Sequence, residues 1–170
     1  MTRQDFLIKW GVYALALLPV WFLELYVLNR FPVFGVTPML LPLAAICVAV
    51  LEGAVAGGGF GLAVGILCDA VYFNTDGTMT IGICVLGILA GVVAQYALRQ
   101  DLVGCLLCSF VGLVLMDLGR MVVRLLAWQT PVSAMLAVAV PEVLWSMVFV
   151  PPVYLLFRWV YRRVPKKTVL

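Results

Sequence analysis

The sequence is poor in charged residues and contains no histidine at all. Charged side chains account for 11% of its 170 residues, compared with about 25% in an ordinary soluble domain. Water is therefore not the main solvent of this chain. The absence of histidine argues against a zinc centre, which requires four ligands. We expect neither a metal site nor a bound cofactor.

The cysteines offer little metal or redox chemistry, because all of them lie inside apolar runs. Cys105 and Cys108 have C-x-x-C spacing, but a reactive pair requires a cysteine exposed near a helix N-terminus. We interpret the cysteines as buried side chains that pack like small apolar residues. They are Cys47, Cys68, Cys84, Cys105 and Cys108.

Basic residues gather at the two ends of the chain, which has a net charge of +3. They are Arg3 and Lys9 near the start, and Arg158, Arg162, Arg163, Lys166 and Lys167 near the end. Such clustering is typical of residues that orient a protein in a membrane. Aromatic and basic residues do not alternate on a polar face, so the sequence predicts no nucleic-acid binding.

Apolar runs recur along the chain, several of them long enough to cross a hydrocarbon core about 30 Å thick. The sequence predicts transmembrane spans at residues 8–28, 38–51, 53–73, 79–98, 102–128 and 132–158. The second is short, so a re-entrant or buried segment is the alternative to a full crossing. Residues 38–73 would form a helix about 54 Å long, too long for one crossing, so we expect a tight turn at Glu52 and Gly53.

The distribution of positive charge predicts an even number of crossings. Six crossings place both basic termini and Arg99 in the cytoplasm and leave Arg30 in an outside loop, as the positive-inside rule expects. Five crossings would put Arg99 and the basic C-terminal end outside. The expected architecture is a single transmembrane domain over residues 1–170, an all-α bundle of six transmembrane helices.

The third span carries glycines at four-residue spacing, namely Gly53, Gly57, Gly61 and Gly65, with Asp69 one step further. A stripe of small residues allows a neighbouring helix to approach closely, and close packing drives helix association in lipid. The stripe serves either packing within the chain or binding of a partner's helix. Asp69 either caps the following turn, bonds a neighbouring helix or takes part in a proton relay, since an acid in a span needs a specific role.

The fifth span carries Asp117, Arg120 and Arg124 on one face, at positions i, i+3 and i+7. Two unpaired charges there would cost about 5–7 kcal/mol, which an Asp–Arg pair on the same face partly offsets. Glu142 in the sixth span is the expected partner for an arginine across the bundle. The four residues form either a structural ion network or a site for a partner or anionic ligand.

The sixth span contains three prolines, Pro141, Pro151 and Pro152. Each lacks the backbone N–H that a helix interior requires, so this span is expected to be kinked or broken. Breaks of this kind line binding sites in some transporters. Here the alternative is that they only bend the helix.

Three segments carry a family resemblance: TPMLL from Thr37 to Leu41, the run from Glu52-Gly53 to Asp69 that contains GGGFGLAVGILCD, and Thr80-Ile81-Gly82. In this order they resemble the rod shape-determining protein MreD family. The likeness covers roughly residues 30–98 by motif and the rest by length and hydropathy. It makes Pro38, the stripe glycines and Asp69 candidates for partner binding or helix packing.

The resemblance implies a non-enzymatic subunit of the cell-elongation complex in the bacterial inner membrane. Such a subunit would guide lateral peptidoglycan synthesis with an MreC-like bitopic protein, a RodA-like glycosyltransferase and a class B penicillin-binding protein. It also implies a fold similar to that of the substrate-binding component of energy-coupling-factor transporters.

Two other functions stay open. A substrate-binding component of an energy-coupling-factor vitamin transporter would need a polar pocket facing outside, which Arg120, Arg124 and Glu142 could line. The small-residue pattern by which those components meet their transducer is not evident in the first span. An intramembrane aspartyl enzyme could use Asp69 and Asp117 as a dyad, but no flanking motif of a known peptidase is present. We therefore expect no enzymatic activity and no catalytic residue.

Overall fold

A computed structural model describes residues 3–30, 35–71, 77–96, 101–128 and 132–163. Within these ranges the chain is almost entirely helical and contains no β-strand, which confirms the all-α class. The helices are α1 (Arg3–Phe22), α2 (Leu40–Glu52), α3 (Ala54–Val71), α4 (Thr78–Tyr96), α5 (Leu102–Trp128), α6 (Val132–Val148) and α7 (Val150–Arg163). After α1 the chain continues through a π-helical turn (Leu23–Val27) and a 3-10 turn (Leu28–Arg30).

Helix α2 forms the centre of the bundle. Every residue from Leu40 to Leu51 is buried, and α1, α3, α4, α5 and α7 all pack against it. A helix surrounded on all sides has no need of a polar face, and these residues are all apolar. At 13 residues the helix is about 20 Å long, shorter than a hydrocarbon core of about 30 Å. The segment predicted at 38–51 is thus a buried apolar helix, and its crossing of the membrane stays a prediction.

The break between α2 and α3 lies at Gly53, where the sequence predicts a tight turn. Gly53 has a φ of 95°, which L-residues with a Cβ rarely adopt. Its N–H donates to the Ala49 carbonyl at 2.9 Å, and its carbonyl accepts from the Gly57 N–H at 2.8 Å. A Cβ at Gly53 would also overlap the side-chain amide of Gln95. The backbone conformation at Gly53 therefore requires glycine.

The helices run between two ends of the bundle, which we name after one residue at each. At the Lys9 end, Lys9 of α1 pairs with Glu52 of α2, and Gln95 of α4 lies beside the turn that follows α2. At the Glu24 end, Glu24 accepts a hydrogen bond from the backbone N–H of Leu41 at the start of α2. Helices α1 to α4 therefore alternate in direction.

Helices α6 and α7 together form the last pass of the chain. At the Glu24 end, Ser146 of α6 accepts a hydrogen bond from the Met39 N–H. Towards the Lys9 end, Phe157 of α7 stacks on Tyr13 of α1, with ring centroids 6.2 Å apart. The pass thus returns alongside α2 and α1.

The break predicted in the sixth span lies at Phe149, where α6 and α7 meet at an angle of 45°. Pro151 and Pro152 have no N–H to donate to the carbonyls four residues earlier, so α6 cannot continue through them. Both lie in the first turn of α7, where a missing N–H leaves no helical bond unmade. The helical pass also extends beyond the predicted boundary at 158, to Arg163.

Three of the described helical segments are long and apolar enough to cross a membrane, or four if the bent pair counts as one span. The three are Leu7–Arg30, Thr78–Tyr96 and Leu102–Val122, and the pair is Met135–Val148 with Val150–Arg163. The apolar stretches of α2 and α3 are shorter, over Leu40–Glu52 and Ala54–Ala70. The arrangement with six crossings therefore stays a prediction.

The outer surface of the bundle is apolar. Large hydrophobic side chains are exposed on every helix except α2, among them Leu15 at 69%, Val55 at 93%, Ile81 at 68% and Leu144 at 61%. In water so much exposed apolar surface would promote aggregation. Surrounded by lipid tails, the same surface is well solvated, as expected of a multi-pass membrane protein.

Candidate functional site

Asp117, Arg120 and Glu142 form an ionic cluster between α5 and α6. The Arg120 guanidinium donates to Asp117 on its own helix and, at 3.1 Å, to Glu142 on the facing helix. The three side chains are mostly buried, with exposed fractions of 24% for Arg120, 10% for Asp117 and 12% for Glu142. Since an isolated buried charge is costly, one guanidinium shared by two carboxylates stabilises all three groups and joins the helices.

Ser146, one turn after Glu142 in α6, connects its helix to the start of the central helix. The Ser146 hydroxyl donates to the backbone carbonyl of Glu142 at 2.7 Å and accepts from the Met39 N–H at 2.9 Å. Met39 immediately precedes α2, and the buried Pro38 precedes it in turn. Ser146 of α6 therefore helps to position the start of α2. Arg124 lies in α5, but its side chain is outside the described part of the structure.

The glycine stripe of α3 faces α4 within the same chain. A Cβ at Gly57 would lie 2.6 Å from the Gly87 carbonyl oxygen, and a Cβ at Gly61 would lie 2.7 Å from the Ile83 carbonyl oxygen. At Gly65 it would lie 3.1 Å from the Thr80 carbonyl oxygen. These separations are shorter than ordinary contacts, so the two backbones touch because side chains are missing.

Helix α4 contributes glycines of its own to this contact. A Cβ at Gly87 would meet the Gly57 backbone, and one at Gly91 would lie 2.6 Å from the carbonyl carbon of Gly53. The stripe is therefore packed within the chain, against α4 along its length and at Gly57 also against Ala49 of α2. Gly59 differs, because it points away from α4 and an added Cβ there would meet nothing within 4 Å.

Asp69 holds the start of α4. Its carboxylate accepts hydrogen bonds from the Thr80 hydroxyl and, at 3.0 Å, from the Thr80 backbone N–H. The first N–H groups of a helix have no partner within the helix, and a carboxylate there also interacts favourably with the helix dipole. Asp69 thus bonds a neighbouring helix, which is one of the three roles considered for it, and the turn that it was expected to cap lies outside the described residues.

Glu24 makes a contact with α2 that the sequence patterns did not predict. It is 3% exposed, and its carboxylate accepts the Leu41 N–H at 2.8 Å, which caps α2 as Asp69 caps α4. The π-helical turn that contains Glu24 follows Pro19, which interrupts the hydrogen bonds of α1. An acidic residue inside an apolar span is a signal that could have identified it.

A second cluster that the sequence patterns did not predict joins α1 to the C-terminal end of α2. Lys9 forms an ion pair with Glu52, and the Tyr13 hydroxyl donates to the same carboxylate at 2.8 Å. Lys9 and Tyr13 are buried. Because Glu24 binds the other end of α2, helix α1 and the π-helical turn that follows it contact the central helix at both of its ends. The sequence signal for this cluster is the four-residue spacing of Lys9 and Tyr13, which places both on one helix face.

Most of the cysteines lie in the core, and two of them form a contact that their spacing in the sequence does not predict. Cys105 does not pair with its C-x-x-C neighbour. Its sulfur lies 3.3 Å from that of Cys47 on α2, and both side chains are fully buried. The contact packs α5 against the central helix, consistent with cysteines acting as small apolar side chains.

Between α5 and α6 the surface forms an apolar groove of about 280 Å³. Its walls are Phe110, Val114, Leu118, Met121, Leu136, Ala139, Val140, Val143 and Leu144, with Asp117 as their one charged neighbour. Because Asp117 pairs with Arg120, the groove offers little hydrogen bonding to a water-soluble ligand. Among the described residues, no group of three histidine, cysteine or acidic side chains is placed to hold a metal ion.

The fold and the polar contacts together define the class of protein. It is a helical multi-pass membrane protein, and within the described part of the chain its ionic and hydrogen-bonding side chains connect its own helices. Comparison of the chain with family models, with curated proteins and with solved structures gives no match.

Proposed function

We propose that this chain is a non-enzymatic scaffold subunit of the bacterial cell-elongation complex in the inner membrane. It spans the membrane six times with both termini in the cytoplasm. It binds an MreC-like bitopic protein, a RodA-like glycosyltransferase and a class B penicillin-binding protein, and so guides lateral wall synthesis.

The observation that supports this role is that polar side chains within the apolar segments bond neighbouring helices. Arg120 joins α5 to α6, Asp69 joins α3 to α4, and Glu24 joins the π-helical turn after α1 to α2. Catalytic groups would instead converge on a cleft that admits substrate and water. A rigid bundle with an apolar outer surface is suited to binding other membrane helices.

The segments that carry the resemblance to the MreD family also support the proposal, because they occupy one part of the fold. Thr37 to Leu41 lead into α2, the run from Glu52 to Asp69 forms the turn and α3, and Thr80 to Gly82 open α4. Two of these segments meet directly through Asp69 and Thr80. The likeness thus lies in residues that hold α2, α3 and α4 together.

Purification of the tagged protein from its native membrane in mild detergent tests the proposed function. We expect MreC-like and RodA-like chains to co-purify at near-stoichiometric amounts. A reversed tag position on the same protein controls for interference by the tag. Recovery of a transporter ATPase pair would contradict the scaffold and favour the vitamin transporter, and recovery of neither set would remove the support for a complex.

Single-cysteine labelling from outside the cell tests the six crossings. In a variant with the native cysteines replaced, a membrane-impermeant maleimide should react with a cysteine introduced at Thr75 or Gln129 and not with one at Gln100. The reason is that the positive-inside rule puts Arg99 in the cytoplasm. Opening the cells should make Gln100→Cys reactive, which controls for access. Labelling of Gln100→Cys in intact cells would refute the topology.

A further inference from the structure

One face of helix α7 is exposed, and its side chains change from apolar to aromatic to basic along the helix. Leu155, Trp159, Arg162 and Arg163 are all exposed, and their spacing of four, seven and eight residues places them on one face. An aliphatic side chain comes first, an indole one turn later, and two guanidinium groups after that. The opposite face, with Val153 and Phe157, is buried.

The two terminal arginines of this face are available for an anion. Within the described part of the chain, the ion pairs involve Lys9 and Arg120 but no arginine of α7. The guanidinium carbon of Arg163 lies over the Trp159 ring, 4.3 Å from its centroid. A cation–π contact restricts the arginine without neutralising its charge.

The position of α7 in the bundle places this face at a membrane surface. Phe157 packs on Tyr13, whose hydroxyl reaches Glu52 at the Lys9 end. Tryptophan is enriched where hydrocarbon meets headgroups, and arginine side chains near helix ends reach towards the headgroup layer. From these preferences we expect Leu155 at the depth of acyl chains and the two arginines at the depth of phosphates.

From this order we propose that the α7 face formed by Leu155, Trp159, Arg162 and Arg163 binds an anionic phospholipid. The acyl chain lies along Leu155 and the indole, and Arg162 and Arg163 bind the headgroup phosphate. An apolar, then aromatic, then cationic surface matches a phospholipid from tail to headgroup. The inference does not depend on the proposed function, because it concerns the lipid around the bundle and not a protein partner.

Native mass spectrometry of the full-length protein in detergent, titrated with phosphatidylglycerol or phosphatidylcholine, tests the proposal. We expect preferential binding of phosphatidylglycerol. The double variant Arg162→Gln/Arg163→Gln should bind it about 25-fold more weakly, at about fivefold for each basic residue lost. Arg30→Gln, which removes an exposed arginine from the Glu24 end, should leave the affinity unchanged.

Two further measurements separate charge from structure and lipid from free phosphate. Arg162→Lys/Arg163→Lys keeps both charges and should stay within about fivefold of the wild-type affinity. Soluble glycerol phosphate lacks the acyl chain and should not displace the lipid. The proposal is overturned if the glutamine double variant keeps its preference for phosphatidylglycerol, if Arg30→Gln weakens binding equally, or if glycerol phosphate competes as well as the lipid.

Discussion

Replacement of Gly61 by leucine is expected to abolish the monodisperse, folded protein in detergent. A Cβ alone at this position would lie 2.7 Å from the Ile83 carbonyl oxygen, so the larger side chain must push α3 and α4 apart. Overpacking by a few methylene groups costs about 1–3 kcal/mol in a packed core. We expect Gly61→Ala to fall in that range and Gly61→Leu to exceed it, as measured by thermal unfolding and by yield on size-exclusion chromatography.

Gly59→Leu is the matched control, because it introduces the same side chain two positions away on the same helix. Gly59 is exposed, and an added Cβ there would meet nothing within 4 Å, so yield and unfolding temperature should stay near wild type. Normal folding of Gly61→Leu would show that the α3–α4 contact is not formed as described. Loss of a co-purifying partner in the well-folded Gly59→Leu variant would identify the outer face of α3 as the interface.

Patterns within a single helix predicted the contacts that depend on one helix face. The four-residue glycine spacing indicated a close approach, and Asp117 with Arg120 three residues later indicated an ion pair. Glu142 was named as the partner across the bundle because few other carboxylates lie in apolar segments. In each case the number of possible partners was small.

Contacts that depend on which helices are neighbours could not be predicted in the same way. Lys9 and Glu52 are 43 residues apart, and no periodicity within α1 indicates that its start lies beside the end of α2. The role of Glu24 depends on a π-helical turn, which the apolar pattern does not indicate. The sequence also does not show that α2 is the central helix, because a helix buried in protein and a helix facing lipid have equally apolar side chains.

The C-terminal boundary of α7 shows a different limit of prediction from the sequence. The predicted span ends at residue 158 because the basic residues after it reduce the hydropathy, whereas α7 continues to Arg163. A helix ends where its backbone hydrogen bonds end, and a hydropathy pattern reports only where its side chains stop being apolar. The face that carries Arg162 and Arg163 therefore becomes visible only in the structure.

Replacement of Arg120 by leucine is expected to destabilise the protein by about 3–5 kcal/mol, the range for removing one partner of a buried ion pair. The change leaves the carboxylates of Asp117 and Glu142 close together without the guanidinium that binds both. Thermal unfolding in detergent measures the effect. Arg30→Leu removes an arginine that is exposed, so it should change stability by less than about 0.5 kcal/mol.

A double variant shows whether the loss comes from broken pairing or from lost packing of the arginine side chain. Asp117→Leu combined with Arg120→Leu removes one of the two carboxylates that Arg120 binds, so it should be more stable than Arg120→Leu alone. Adding Glu142→Gln, which keeps the shape of the side chain, should restore stability further, since apolar or neutral replacement of a whole buried network is often nearly neutral. A double variant no more stable than Arg120→Leu would mean that Asp117 and Arg120 do not stabilise each other. The fold would then depend on the packing of α5 against α6 and not on the ionic cluster between them.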